Sequence, residues 1–309
     1  IKQRRVQGTI HQIKTVEGIW VVGDGDIASA AIRFFSNLYS ESVAPSSKLL
    51  RFFPPILTWE GNLALEDILS LKEVKWVVHA MDGDSAAGPD GFTGKFFTFA
   101  WDIIARDMYN VVLSFFCGAE LSRFITSTSI VLIPKIPNPQ DFSNFRPISL
   151  CNFINKVLSR ILFERVAALL SRIISPQQSG FVRGRNITEN YLLAQEVLAG
   201  IGKKSREGNV ALKLDMAKAY DRVSWLHLTR VLRKFGFGER FIDMTWRLVS
   251  NVWFSVMVNE AAYGFFKSSR GLRQGDSLSP ALFVIGAEVL SRGLNNLASQ
   301  QCFQGFEVP

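Results

Sequence analysis

Cysteine, histidine and long apolar runs are scarce in this chain, and each shortage removes a class of protein. Three cysteines, Cys117, Cys151 and Cys302, are spread over 309 residues with no CxxC pair. That odd, dispersed set builds neither a disulfide framework nor a zinc ribbon, and it fits a reducing compartment. His11, His79 and His227 are equally scattered, without metal-ligand spacing. No apolar stretch reaches the roughly 18 residues that a membrane-spanning helix needs. No targeting signal is readable, and the chain opens on Ile1, as expected of a segment cut from a longer protein. Internal repeats and low-complexity runs are missing too.

Apolar residues are plentiful. They make up 48% against 20% charged, which allows a sizeable core in one large domain or two ordinary ones. The net charge of +8 favours a polyanionic partner, nucleic acid before membrane.

Periodicity predicts a helix-rich α+β chain. Residues 7–22 read as two short strands around a Glu17-Gly18 turn. A helix follows, with Asp26 as its N-cap and Ile27, Ala31, Phe34, Phe35 and Leu38 on one face. The Gly23-Asp24-Gly25-Asp26 run lacks the second half of a GxGxxG loop, so it reads as a turn. Residues 42–47 form a polar break. Helices are predicted over 66–79, 96–117, 152–174, 188–201 and 240–249, with a basic turn at 203–206. Strands are predicted over 129–135, 253–258 and 263–267. A last helix starts at Ser279-Pro280, with Ser279 as N-cap.

The central stretch is V-A-L-K-L-D-M-A-K-A-Y-D-R-V, residues 210–223. Val210, Leu212 and Leu214 alternate with Ala211, Lys213 and Asp215, the period of a half-buried strand. Beyond it Trp225, Leu228, Val231, Leu232 and Phe235 recur at helical spacing. Asp215 would therefore end a strand, where a carboxylate serves either as a metal ligand or as an ordinary cap or turn residue. Tyr220 could abut a bound sugar or simply pack the next turn. Asp221 could pair locally with Arg222.

Three further segments carry chemistry. Lys135 and Arg146 stand beside prolines and suit a triphosphate, one as a point charge and one as a planar fork, or are solvated loop charges. Residues 177–185 offer Phe181, Arg183 and Arg185 among glycines, a composition suited to phosphate and base contacts. Residues 270–280 bring Arg270, Arg273 and Gln274 to a helix N-terminus, and Gln274 can both donate and accept hydrogen bonds.

Six strings occur in family order: A-A-G-P-D-G-F (86–92), L-I-P-K (132–135), F-R-P-I-S-L-C-N (145–152), Q-S-G-F-V-R-G-R (178–185), L-D-M-A-K-A-Y-D-R-V-S-W (214–225) and G-L-R-Q-G-D-S-L-S-P (271–280). Together the chain resembles the reverse transcriptase of plant-type non-LTR (LINE-type) retrotransposons from about Ile27 onward. The resemblance implies the fingers and partial palm of a right-hand polymerase, with a small antiparallel sheet. It assigns residues 1–80 to the region upstream of the polymerase, 81–208 to fingers and 209–309 to an incomplete palm. Asp215 would be the first catalytic carboxylate and, with the Met216 carbonyl, would bind Mg2+ or Mn2+. Tyr220 would be the steric gate, Lys135, Arg146 and Gln274 the nucleotide contacts, and Arg183, Arg185 and Arg273 the nucleic-acid contacts. Asp221 would be more structural than catalytic. The implied partners are an RNA template, a DNA primer and deoxynucleoside triphosphates, with no membrane and a nuclear and cytoplasmic location.

One departure stands out. The family's second palm motif carries two adjacent aspartates, and no Asp-Asp pair occurs in this chain. A single aspartate does not hold two cations, so residues 1–309 alone are expected to be inactive. A nucleic-acid-binding relic and an intron-maturase-like protein are the alternatives to a polymerase.

Overall fold

The computed structural model describes residues 9–41, 49–50, 53–201 and 210–298. The expected polar break at 42–47, the basic turn at 203–206 and Cys302 lie outside these residues. Two short antiparallel strands come first, β1 (Gln12–Lys14) and β2 (Trp20–Val22), as the hairpin pattern predicts. Helix α1 (Asp24–Leu38) follows Gly23 directly. Asp26 therefore lies within the first turn, where it faces the positive end of the helix dipole, and does not cap it. Ile27, Ala31, Phe35 and Leu38 are buried at the predicted spacing.

Next come α2 (Trp59–Glu66) and α3 (Leu71–Ala80). The single helix expected over 66–79 is broken, because the Ser70 side chain accepts from the Glu73 N–H and caps a new helix. Ala100 likewise divides α4 (Gly94–Phe99) from α5 (Trp101–Phe116). Then follow α6 (Arg123–Thr126), β3 (Ser127–Pro134), β4 (Phe145–Cys151), α7 (Phe153–Ala167), α8 (Leu170–Ile173) and α9 (Ile187–Gly200). The chain closes with α10 (Trp225–Phe235), α11 (Glu239–Ser250), β5 (Trp253–Val258), β6 (Ala261–Lys267) and α12 (Ser279–Ala298).

The architecture is α+β. The four-stranded sheet runs β4-β3-β5-β6. Its β3–β4 and β5–β6 pairs are antiparallel as expected, and the central β3–β5 pair runs parallel from Ser127–Trp253 to Ile130–Val256. Phe254, Val256 and Val258 point from β5 into a core shared with Ile27, Ala31 and Phe35 of α1. A larger core gathers around α7, α10, α11 and α12. Packing crosses the expected segment limits: β3 and β5 come from either side of residue 208, and α1 leans on β5 and β6.

The main departure concerns residues 210–216. They form no strand, and Val210, Leu212 and Leu214 are 81%, 85% and 68% exposed. A period-two pattern becomes a strand only when a neighbour supplies hydrogen bonds and covers its apolar face. Among the described residues no strand pairs with this segment.

Candidate functional site

The site is assembled from three places: the tip of the β3–β4 hairpin, the turn at residues 217–222 and the loop between β6 and α12. The hairpin tip is held by a capping box, in which the Asp141 carboxylate accepts from Ser143 N and Asn144 Oδ1 accepts from the Asp141 N–H. Lys135, one residue past β3, donates its N–H to Asn144 O at 2.8 Å and its Nζ to Ser143 O at 2.9 Å. Arg146 pairs with Ile133 across the strands. Alternation puts it on the sheet face opposite α1, where it is exposed and has no ion-pair partner among the described residues.

The turn and the loop are stitched together. Gly271 N donates to Val223 O and Leu272 N to Tyr220 O, each at 2.8 Å, and Trp225 Nε1 donates to Gly271 O at 2.7 Å. A Cβ on Gly271 would stand 2.8 Å from Asp221 O and 2.9 Å from the Tyr39 ring, so only glycine allows this approach. Gln274 Nε2 then donates to Asp221 Oδ1 at 2.9 Å, and the Tyr39 hydroxyl donates to the same oxygen at 3.2 Å. The Gln274 carbonyl accepts from Ser149 N at 2.9 Å, which lays the loop along the free edge of β4.

Burial raises the Asp221 pKa; hydrogen bonds from Gln274 and Tyr39, and the charges of Lys218 and Lys135, work against that shift. Lys218 thus joins Lys135 beside the carboxylate. It has a left-handed φ of 53°, its Nζ lies 4.1 Å from the centre of the Phe34 ring, and burial lowers its pKa.

Asp215 is exposed and, among the described residues, has no hydrogen-bond or ion-pair partner. Lys218 lies three residues on, a span of at most roughly 11 Å, so Asp215 stays in the neighbourhood of the basic cluster. Its carboxylate and the Met216 carbonyl are oxygen donors of the kind that hard divalent cations take. Among the described residues no group of three or more acidic, cysteine or histidine side chains gathers around them. Tyr220 is half-buried, its ring stacked on Phe283 with centroids 4.9 Å apart and planes 13° from parallel.

Two expected nucleic-acid contacts need correction. Arg273 is 4% exposed and gives Nη2 to Asp276 Oδ2 at 2.8 Å. Burial opposes its charge, but Asp276 overcomes that effect and raises the guanidinium pKa. Asp276 also accepts from the Ser159 hydroxyl. Arg185 turns inward as well and satisfies four carbonyls around the end of α8: Ser175, Gln178, Ile174 and Ser171. These guanidiniums hold loops together. Arg183 remains at the surface, paired with Glu164 at 2.6 Å.

Four partners escaped the sequence reading: Tyr39, Lys218, Ser159 and Asn152. Asn152 accepts from Asp90 N at 3.1 Å and donates to Phe124 O at 2.6 Å. It thereby clamps the 86–92 loop onto the start of α7, where a Cβ on Gly88 would collide with Asn152 at 2.5 Å. Tyr39 carries no motif signal at all.

Residues 133–304 match a family model described as reverse transcriptase (RNA-dependent DNA polymerase). The chain is similar to a "Transposon TX1 uncharacterized 149 kDa protein" of Xenopus laevis, 28% identical over 85% of this chain and 20% of the relative. It is also similar to a "Retrovirus-related Pol polyprotein from type-2 retrotransposable element R2DM" of Drosophila melanogaster, 30% identical over 70% of this chain and 20% of the relative. A third relative is an R2 Pol polyprotein of Nasonia vitripennis, 29% identical over 68% of this chain and 20% of its own length. The chain therefore spans about a fifth of the length of these curated relatives.

Proposed function

Because this chain belongs to the reverse transcriptase (RNA-dependent DNA polymerase) family, we propose that it forms the fingers and part of the palm of a non-LTR retrotransposon polymerase. The reaction is attack of a primer 3′-hydroxyl on the α-phosphorus of a deoxynucleoside triphosphate, copied from an RNA template, with pyrophosphate leaving. Such transfer rests on positioning and charge neutralisation. Lys135 and Arg146 are the groups offered to the triphosphate, joined by Lys218. Gln274 contacts the incoming nucleotide, and the Tyr220 ring limits the space for its sugar. Arg183 lies along the nucleic acid. Reverse transcriptases use a divalent metal. Asp215 and the Met216 carbonyl are the proposed ligands, for Mg2+ or Mn2+, and the ion when bound neutralises phosphate charge.

One observation supports this reading above the others. The Gln274–Asp221 hydrogen bond joins the glutamine loop to the turn that bears Tyr220, with Lys135 and Lys218 close enough to influence the same carboxylate.

RNA-templated incorporation of labelled deoxynucleotides tests the proposal, using the full protein that carries this chain. Extension that needs template, primer and divalent cation supports it. RNA binding without any extension would instead favour the relic.

A further inference from the structure

Helix α1 ends inside the candidate site, although it lies outside the stretch that matches the family model. Its last carbonyls fasten the glutamine loop: Tyr39 O accepts from Ser269 N at 2.9 Å and Arg270 N at 3.2 Å, and Leu38 O accepts from Arg270 Nε at 2.9 Å. The Tyr39 ring is 2% exposed and stacked on Phe254, with centroids 4.9 Å apart. This packing leaves its hydroxyl one partner among the described residues, Asp221 Oδ1. Asp221 is 2% exposed. Buried side chains of this kind do not drift, so the direction of each bond has consequences.

An ionised carboxylate only accepts hydrogen bonds. Tyr39 and Gln274 must both donate to it, and a glutamine that donates through Nε2 turns its Oε1 away. We propose that Tyr39 and Asp221 are positioning residues for Gln274: the tyrosine of α1 fixes the aspartate, the aspartate fixes the amide, and Oε1 is presented to the incoming nucleotide as an acceptor. The polarity of this contact is thus set by a residue 235 positions earlier in the chain. The inference rests on the nucleotide reading of Gln274 given above, but its geometry can be tested independently.

Two readouts separate the ideas. The first is the Gln274 side-chain NH2 resonance in the 309-residue chain, assigned by its loss in Gln274→Ala. Tyr39→Phe is expected to shift that resonance and quicken its exchange with solvent. An unchanged resonance in Tyr39→Phe overturns the relay, whatever the protein catalyses. The second is steady-state incorporation by the full protein. Asp221→Leu is expected to raise KM for the deoxynucleotide about tenfold with kcat within about threefold, and Tyr39→Phe to raise KM about threefold. Asp221→Asn keeps the accepting Oδ1 and is expected to recover KM to within about threefold. Equal loss in the Asn and Leu variants, or a fall in kcat alone, would refute the positioning role. If Asp221→Leu does not fold, Tyr39→Phe carries the test. A wild-type protein that extends no primer overturns the proposed function, while the amide resonance still decides the relay.

Discussion

Arg273 and Asp276 hold each other in a buried ion pair, Nη2 to Oδ2 2.8 Å, across the two residues that carry the glutamine contact, Gln274 and Gly275. Both side chains are 4% exposed, so the charges are removed from water and answer chiefly to each other. The family resemblance offered Arg273 to nucleic acid; the fold uses it to brace the loop that carries Gln274.

Breaking that pair should unfold the chain more readily without touching an exposed surface. Arg273→Ala strands a buried carboxylate and is expected to cost about 3–5 kcal/mol, read by denaturant or thermal melting. Replacing both partners with leucine should cost less, because no charge is left unpaired. A melting temperature unchanged in Arg273→Ala would contradict the buried pair.

The two arginines after Phe181 should behave differently. Arg185→Ala removes the group that satisfies four carbonyls, and a loss of about 1–3 kcal/mol in stability is expected. Its effect on RNA binding should add nothing to the salt dependence. Arg183→Ala, at the surface, should leave stability within about 0.5 kcal/mol and reduce the salt slope of RNA binding by about 1. The reverse pattern, with Arg185 setting the slope, would contradict these placements.

Asp221 gives the site a pH signature. Burial lifts its carboxyl above the ordinary 3.8, so the folded chain holds this proton more tightly than the unfolded chain does. The resulting stabilisation is complete below the unfolded value and is lost as pH rises through the folded one. Tyr39, Gln274, Lys218 and Lys135 surround the group and limit the effect. Asp221→Asn makes the neutral form permanent. It is expected to melt at or above the wild-type temperature at about pH 7, with the gap closing toward about pH 4. A variant that is less stable at neutral pH and regains parity in acid would reverse the sign and refute the burial argument.

The sequence made legible what depends on local pattern. The α1 face and the β5–β6 hairpin lie where spacing puts them, and the α+β class follows. What it hid depends on tertiary choice. Alternation at Val210, Leu212 and Leu214 describes a face that wants cover, but it does not name the strand that covers it. A charge in a loop reads alike whether it turns out, as at Arg183, or in, as at Arg185 and Arg273. Helix breaks at Ser70 and Ala100 were invisible because apolar spacing continues across them. Tyr39 joins the site only because α1 packs on the sheet, a contact 182 residues from Asp221 that no local pattern announces.

The most direct test of the account is single-turnover incorporation of one deoxynucleotide on an RNA template, comparing the full protein with its Asp215→Asn variant. The rate is expected to fall by about a thousandfold or more, with affinity for the RNA–primer duplex unchanged. A variant that keeps more than about a tenth of the wild-type rate would show that Asp215 is not the carboxylate on which nucleotide transfer depends.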